Sequence, residues 1–256
     1  MLSDENKARV QRLVKAGYWQ AFSEMVRRMN VAFWWSGIVD GQLRILNNGT
    51  MCYLDSGTEK LGITADHVYA EYLAQKASVE GVELQLGENT INVEPYLVDR
   101  DPTLDLATFR IPEVFVSAGT SFYHVNRDWP PTPLEPREVV AHGGFPQVLR
   151  ERGNGKVDFG FQFFASATSD VSGDKIVLAP PDDAYWPEHP DTPMNQDFGG
   201  QSGGPVYRII DANLKDGGSE PVDRLELVGF IYNKVLGAVL ARPASLVRPD
   251  GTLARS

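Results

Sequence analysis

A serine set among glycines, Gly200-Gln201-Ser202-Gly203-Gly204-Pro205, stands directly before an apolar run, Val206 to Ile210. Glycines at that density let the backbone turn tightly enough to aim amide N–H groups at a developing negative charge, and they leave room for a carbonyl beside the hydroxyl. Serine is a weak nucleophile at its own pKa, so this chemistry needs a base, and the base needs a carboxylate to fix its tautomer. The stretch Leu61 to Val68 supplies His67, just past a strand-like run and two residues after the small Ala65. Thr103 to Phe109 supplies Asp105 at the start of another such run. Taken singly, the hexapeptide also reads as a glycine-rich turn, and His67 and Asp105 as ordinary surface residues. Together, in the order His, Asp, Ser, they point to nucleophilic acyl transfer.

Other chemistries find less support. The four histidines, His67, His124, His142 and His189, are scattered, and the pair His67 and Glu71 at helical spacing has no third ligand to match, so neither a metal nor an organic cofactor is expected. Gly155-Lys156 lacks the flanking residues of a phosphate-cradling loop. The formal charge of −10 on 256 residues sets nucleic-acid binding aside, because a polyanion meets repulsion over most of this surface. One cysteine, Cys52, forms no intramolecular disulfide, and no run of 18 apolar residues or export-type leader is visible, so a cytoplasmic protein without a membrane span is expected.

The elements that must carry the three residues follow from periodicity. Val10, Leu13, Val14, Tyr18, Ala21, Phe22, Met25, Val26 and Met29 recur at three-and-four spacing, which predicts an N-terminal amphipathic helix over residues 3–29, broken near Gly17. Residues 3–29 carry +3 against −13 for the rest, so the helix is the one basic element; its apolar face is expected to pack on the body, with a membrane surface, an activating protein partner or self-association as the other contacts open to it. Short apolar or alternating runs follow, from Val31 to Ile38 through Ala238 to Ala241, cut by Gly, Asn, Asp and Pro. They predict antiparallel strands in closed or sandwiched sheets, with hairpin turns at Asp40-Gly41 and Asn48-Gly49. The Pro-rich segment around Trp129 to Pro133 divides the chain into a helix (1–30), a first β unit with His67 and Asp105 (31–120) and a second with Ser202 (121–256).

These pieces resemble the trypsin/chymotrypsin-like serine peptidases of the bacterial, disulfide-free type. The resemblance rests on Ile63-Thr64-Ala65-Asp66-His67-Val68, Asp105-Leu106-Ala107 and the Ser202 hexapeptide, with Gly49-Thr50 and His142-Gly143-Gly144-Phe145-Pro146 as weaker matches, and covers about residues 31–247. It implies two packed six-stranded antiparallel β-barrels with the site in the cleft between them. It also implies an endopeptidase acting on protein or peptide substrates, with Ser202 as nucleophile, His67 as general base and Asp105 as its orienting carboxylate. The backbone amides of Gly200 and Ser202 would form the oxyanion hole, and Gln196, Asp197, Tyr232, Asn233, Lys234 and Gly237 would lie along the substrate. Asp197 would favour a basic side chain before the cleaved bond and Lys234 an acidic one, and the choice stays open. Two departures stand out: Gln201 occupies a position where secreted trypsins carry Asp, and Asp66 replaces an alanine, either approaching the His67 ring or facing solvent. A catalytically silent fold used as a peptide- or protein-binding module, and an esterase of small acyl groups, are the competing readings.

Overall fold

A computed structural model describes residues 4–125, 129–153, 156–179, 199–210, 224–235 and 237–255. The N-terminal segment forms two helices, α1 (Asp4–Lys15) and α2 (Tyr18–Arg28), broken where expected. Gly17 separates them at φ 78, a left-handed conformation that glycine adopts without a Cβ penalty. Val10, Leu13, Trp19, Phe22, Val26 and Met29 are all buried, and the Trp19 ring lies 4.9 Å from that of Phe163. The helix pair therefore packs its apolar face on the β body, as the spacing of those residues requires.

Two β units follow. The first holds β1 (Asn30–Val39), β2 (Gln42–Asp55), β3 (Lys60–Thr64), the helix α3 (Asp66–Ser78), β4 (Glu80–Leu86), β5 (Asn89–Thr90), β6 (Leu97–Asp101), β7 (Leu106–Arg110) and β8 (Tyr123–His124). Its order is β5-β4-β1-β2-β3-β7-β6, with β8 added parallel to β2. The second holds β9 (Val139–Gly144), a separate hairpin of β10 (Arg150–Gly153) and β11 (Lys156–Phe159), then β12 (Gln162–Val171), β13 (Ile176–Leu178), β14 (Pro205–Ile210), β15 (Arg224–Val235) and β16 (Ala238–Pro243). Strands β12-β13-β16-β15-β14-β9 close into a six-stranded antiparallel barrel.

The expectation of two closed barrels is met by the second unit alone; the first is an open sheet. Its terminal strand β5 has only two residues and pairs with β4, and among the described residues it makes no ladder with β6 at the opposite edge. The β6 edge is covered instead by the chain's end, where Asp99 accepts from the Leu253 amide at 2.9 Å and Arg255 pairs with Asp99 and Asp101. Covering an exposed edge with a charged segment is a common way to stop strand addition there.

Within the barrel, period-two alternation divides the side chains between two hydrophobic clusters. Val140, Phe164, Val206 and Val228 point into the barrel, while Ala141, Phe163, Tyr207 and Leu227 point toward the helix pair and the first sheet. Both faces are buried, so these strands read as nearly continuous apolar runs. Asp40 and Gly41, at φ 53 and 70, make the hairpin between β1 and β2 as expected. Asn48-Gly49 does not turn: it lies inside β2, opposite Trp34 and Phe33. The glycine is needed there for close approach, because a Cβ at position 49 would press on the Val68 methyls and approach the Ser202 carbonyl.

Candidate functional site

His67 is placed by three successive constraints. Strand β3 ends at Thr64, whose hydroxyl donates to the Thr50 carbonyl at 2.7 Å, and α3 begins two residues later. Asp66, in the first turn, is buried and accepts two bonds from Arg100, at 2.6 Å from Nε and 2.9 Å from Nη2. It does not face solvent: the bidentate pair with Arg100 fixes the helix start, and the Arg100 guanidinium also lies 5.4 Å from the Tyr69 ring centroid. The His67 side chain, about half exposed (48 %), is left pointing outward.

Asp105 grips His67 at two points. One carboxylate oxygen accepts from the His67 backbone amide at 2.8 Å, and the other lies 2.8 Å from ring Nδ1. With Nδ1–H directed at the carboxylate, Nε2 is the nitrogen left to take a proton. Asp105 itself has φ 52, a left-handed conformation uncommon outside glycine, and it follows an Asx turn in which Asp101 accepts from the Thr103 and Leu104 amides at 2.8 and 3.0 Å. Those bonds, with the Leu104 amide foremost and Arg255 adding to them, hold the Asp101 carboxyl below its usual range.

The serine loop is stitched to the first sheet through Thr50. Its amide donates to the Ser202 carbonyl at 2.8 Å, and its hydroxyl donates to the Gly200 carbonyl at 2.8 Å while accepting from the Phe145 amide at 3.0 Å. On the barrel side, Gly203 donates to the Ile231 carbonyl at 2.6 Å and Ile231 donates back to Gly204 at 2.7 Å. Gly203 sits at φ 91, where a Cβ would collide with the Thr50 carbonyl, so the loop's composition follows from its close contact with β2. Among the described residues neither the Gly200 nor the Ser202 amide donates to a protein acceptor. Ser202 Oγ likewise makes no hydrogen bond among them, so a direct His67–Ser202 bond is not formed, although Val68 and the Ser202 carbonyl converge on Gly49.

No family model matches this chain, and no curated protein matches it. Of the residues expected along a substrate, Gln196 and Asp197 lie outside the described residues. Tyr232 is buried in the cluster beneath the first sheet, with Arg242 4.2 Å from its ring centroid, while Asn233 is exposed and Lys234 partly so. Gly237 forms the turn into β16 at φ 86. Pairing of β15 with β14 stops at Phe230, whereas pairing with β16 runs on to Val235.

Gln201 is fully buried, and its Nε2 donates to Gln162 Oε1 at 3.3 Å, an amide contact where an acidic residue would need a cation. Glu71, considered above as a ligand beside His67, instead accepts from Asn47 at 2.7 Å and Gln75 at 3.1 Å. His142 is buried with Nε2 2.9 Å from Ser166 Oγ, and desolvation lowers its pKa to about 4. Among the described residues no helix is long and apolar enough to cross a membrane. Arg100, Arg242 and Thr50 carry the site's supporting contacts and were not singled out from the sequence for that role. The signal was present for the arginines, since each interrupts a strand that is otherwise largely apolar or acidic.

Proposed function

We propose that the chain is a serine endopeptidase whose two β units act as the two halves of a trypsin-like fold, with the first sheet in the role of the first barrel. The observation that carries this reading is the two-point hold of Asp105 on the His67 amide and Nδ1, which sets a single tautomer and leaves Nε2 as the base. In the reaction, Ser202 Oγ attacks the substrate carbonyl carbon as its proton passes to His67 Nε2. The carbonyl oxygen takes the electron pair and receives hydrogen bonds from the Gly200 and Ser202 amides. The imidazolium, stabilised by Asp105, then protonates the leaving amine, and water repeats the sequence to release the acyl group. Amides without a protein acceptor, fixed by glycine geometry and Thr50, support the oxyanion role, since preorganised donors need no reorganisation during reaction. Contacts between serine and base commonly tighten only when substrate binds. An extended substrate would lie along β15 beyond Phe230, where the pairing with β14 ends.

The same unbonded hydroxyl favours one second reading, a non-catalytic peptide-binding module with the residues retained. Incubating wild type and Ser202→Ala with a peptide library and with short acyl esters separates the cases. Peptide cleavage lost in the variant supports the endopeptidase, ester cleavage alone supports an acyl esterase, and peptide binding without turnover supports the module.

A further inference from the structure

We infer that Arg242 is a positioning residue for Asp105, reaching from the barrel to hold the backbone that presents this carboxylate; the role assigned to Asp105 rests on the function proposed above. Arg242 lies on β16, and its side chain is about one-tenth exposed. Its Nε donates to the Leu104 carbonyl at 2.6 Å and its Nη2 to the Thr103 carbonyl at 2.9 Å, the two peptides immediately before Asp105. On the other side, Nη1 donates to the Asp174 backbone carbonyl at 2.8 Å and approaches its carboxylate at 3.2 Å. The guanidinium carbon lies over the Tyr232 ring, 4.2 Å from its centroid.

These contacts fall where the chain most needs them. Asp105 is held at φ 52, a conformation that persists in a non-glycine residue only when its surroundings over-determine it. Asp101 fixes the amides of residues 103 and 104 from within the first unit, and Arg242 fixes their carbonyls from the second. Together these groups leave the turn little freedom to relax. The forked, planar donor set is what matters: lysine carries the same charge and reaches one carbonyl at a time. Because β16 also pairs with the 231–235 segment, the clamp ties the orientation of His67 to the strand proposed to meet substrate.

The test is Arg242→Lys, with Tyr232→Leu as a second variant that keeps the fork and removes its support. Arg208→Lys serves as the control, since Arg208 is another multiply bonded barrel arginine, held by Glu138, Glu226 and the carbonyls of Thr132 and Pro133. The first readout is the downfield proton resonance of His67 Nδ1–H, assigned by its loss in His67→Gln. The second is the rate of fluorophosphonate labelling of Ser202. The clamp predicts a shifted or exchange-broadened His67 resonance and labelling slowed by about tenfold to a hundredfold in Arg242→Lys, the scale on which misorientation by an ångström acts. It predicts the same direction with a smaller effect in Tyr232→Leu, and neither change in Arg208→Lys. A folded Arg242→Lys with an unmoved resonance overturns the proposal; so does an equal shift in Arg208→Lys. If Arg242→Lys does not fold, an unmoved resonance in Tyr232→Leu overturns it. Wild type that never labels contradicts the hydrolase reading alone, because the resonance still decides the clamp.

Discussion

Replacing Thr50 by valine exchanges one hydroxyl for a methyl of nearly the same volume at a fully buried position, so neither a cavity nor a clash is introduced. Two hydrogen bonds disappear: the one given to Gly200 at 2.8 Å and the one received from Phe145 at 3.0 Å. Both partners are backbone groups in the packed contact between β2, β9 and the serine loop. Leaving a buried polar group without a partner costs about 1–3 kcal/mol, so two amount to about 2–6 kcal/mol. For a chain of this size that lowers the midpoint of thermal unfolding by roughly 5–15 °C. Thr50→Ser keeps the hydroxyl and loses one methyl, at about 1 kcal/mol. Differential scanning calorimetry on the two variants, with fluorophosphonate labelling alongside, checks the argument. Valine should be the more damaging to stability and should slow labelling, because the Gly200 peptide loses its tether. If valine is tolerated as well as serine, Thr50 does not hold the loop through its hydroxyl.

Other consequences follow from the same structure. His142 is held neutral by burial, with its pKa lowered from 6.5 to about 4, whereas the unfolded chain takes up that proton near 6.5. The unfolded state thus binds more protons between those values, and stability should fall by about 3 kcal/mol as pH drops from 6.5 to 4, a slope that His142→Gln flattens in urea titrations. Trp19→Ala removes a buried ring packed at a tilt against Phe163 and should cost about 3–5 kcal/mol by the same assay, with a weakened hold between the helix pair and the barrel. Gly203→Ala combines φ 91 with a backbone collision and should cost about 3 kcal/mol or more, whereas Gly41→Ala, at φ 70 with open space around it, should cost about 1 kcal/mol.

How much of this was legible varies with the range of the interactions concerned. The order of short strands, the Asp40-Gly41 hairpin and the buried helix face are local patterns, and the structure keeps them. Asn48-Gly49 misleads because glycine serves turns and close packing alike, and only the arrival of Val68 and Ser202 from distant parts of the chain decides between the two uses. Closure of the first sheet depends on whether β5 and β6 reach each other, which no local pattern encodes. At the site, residue types singled out His67, Asp105 and Ser202 as candidates, and the structure brings the first two into contact through long-range supports. Asp66 reads as an acid that either nears the His67 ring or faces solvent until Arg100 is found 34 positions away, and Arg242 meets Leu104 from 138 positions away.

The most direct test of the central claim is intact-mass spectrometry after exposure to a fluorophosphonate, comparing wild type with Ser202→Ala and His67→Ala. The arrangement of Asp105, His67 and the Gly200–Ser202 loop predicts one adduct on wild type, none on Ser202→Ala and labelling slowed by orders of magnitude on His67→Ala. A folded wild type that takes no adduct, or an adduct that persists unchanged without His67, would contradict it.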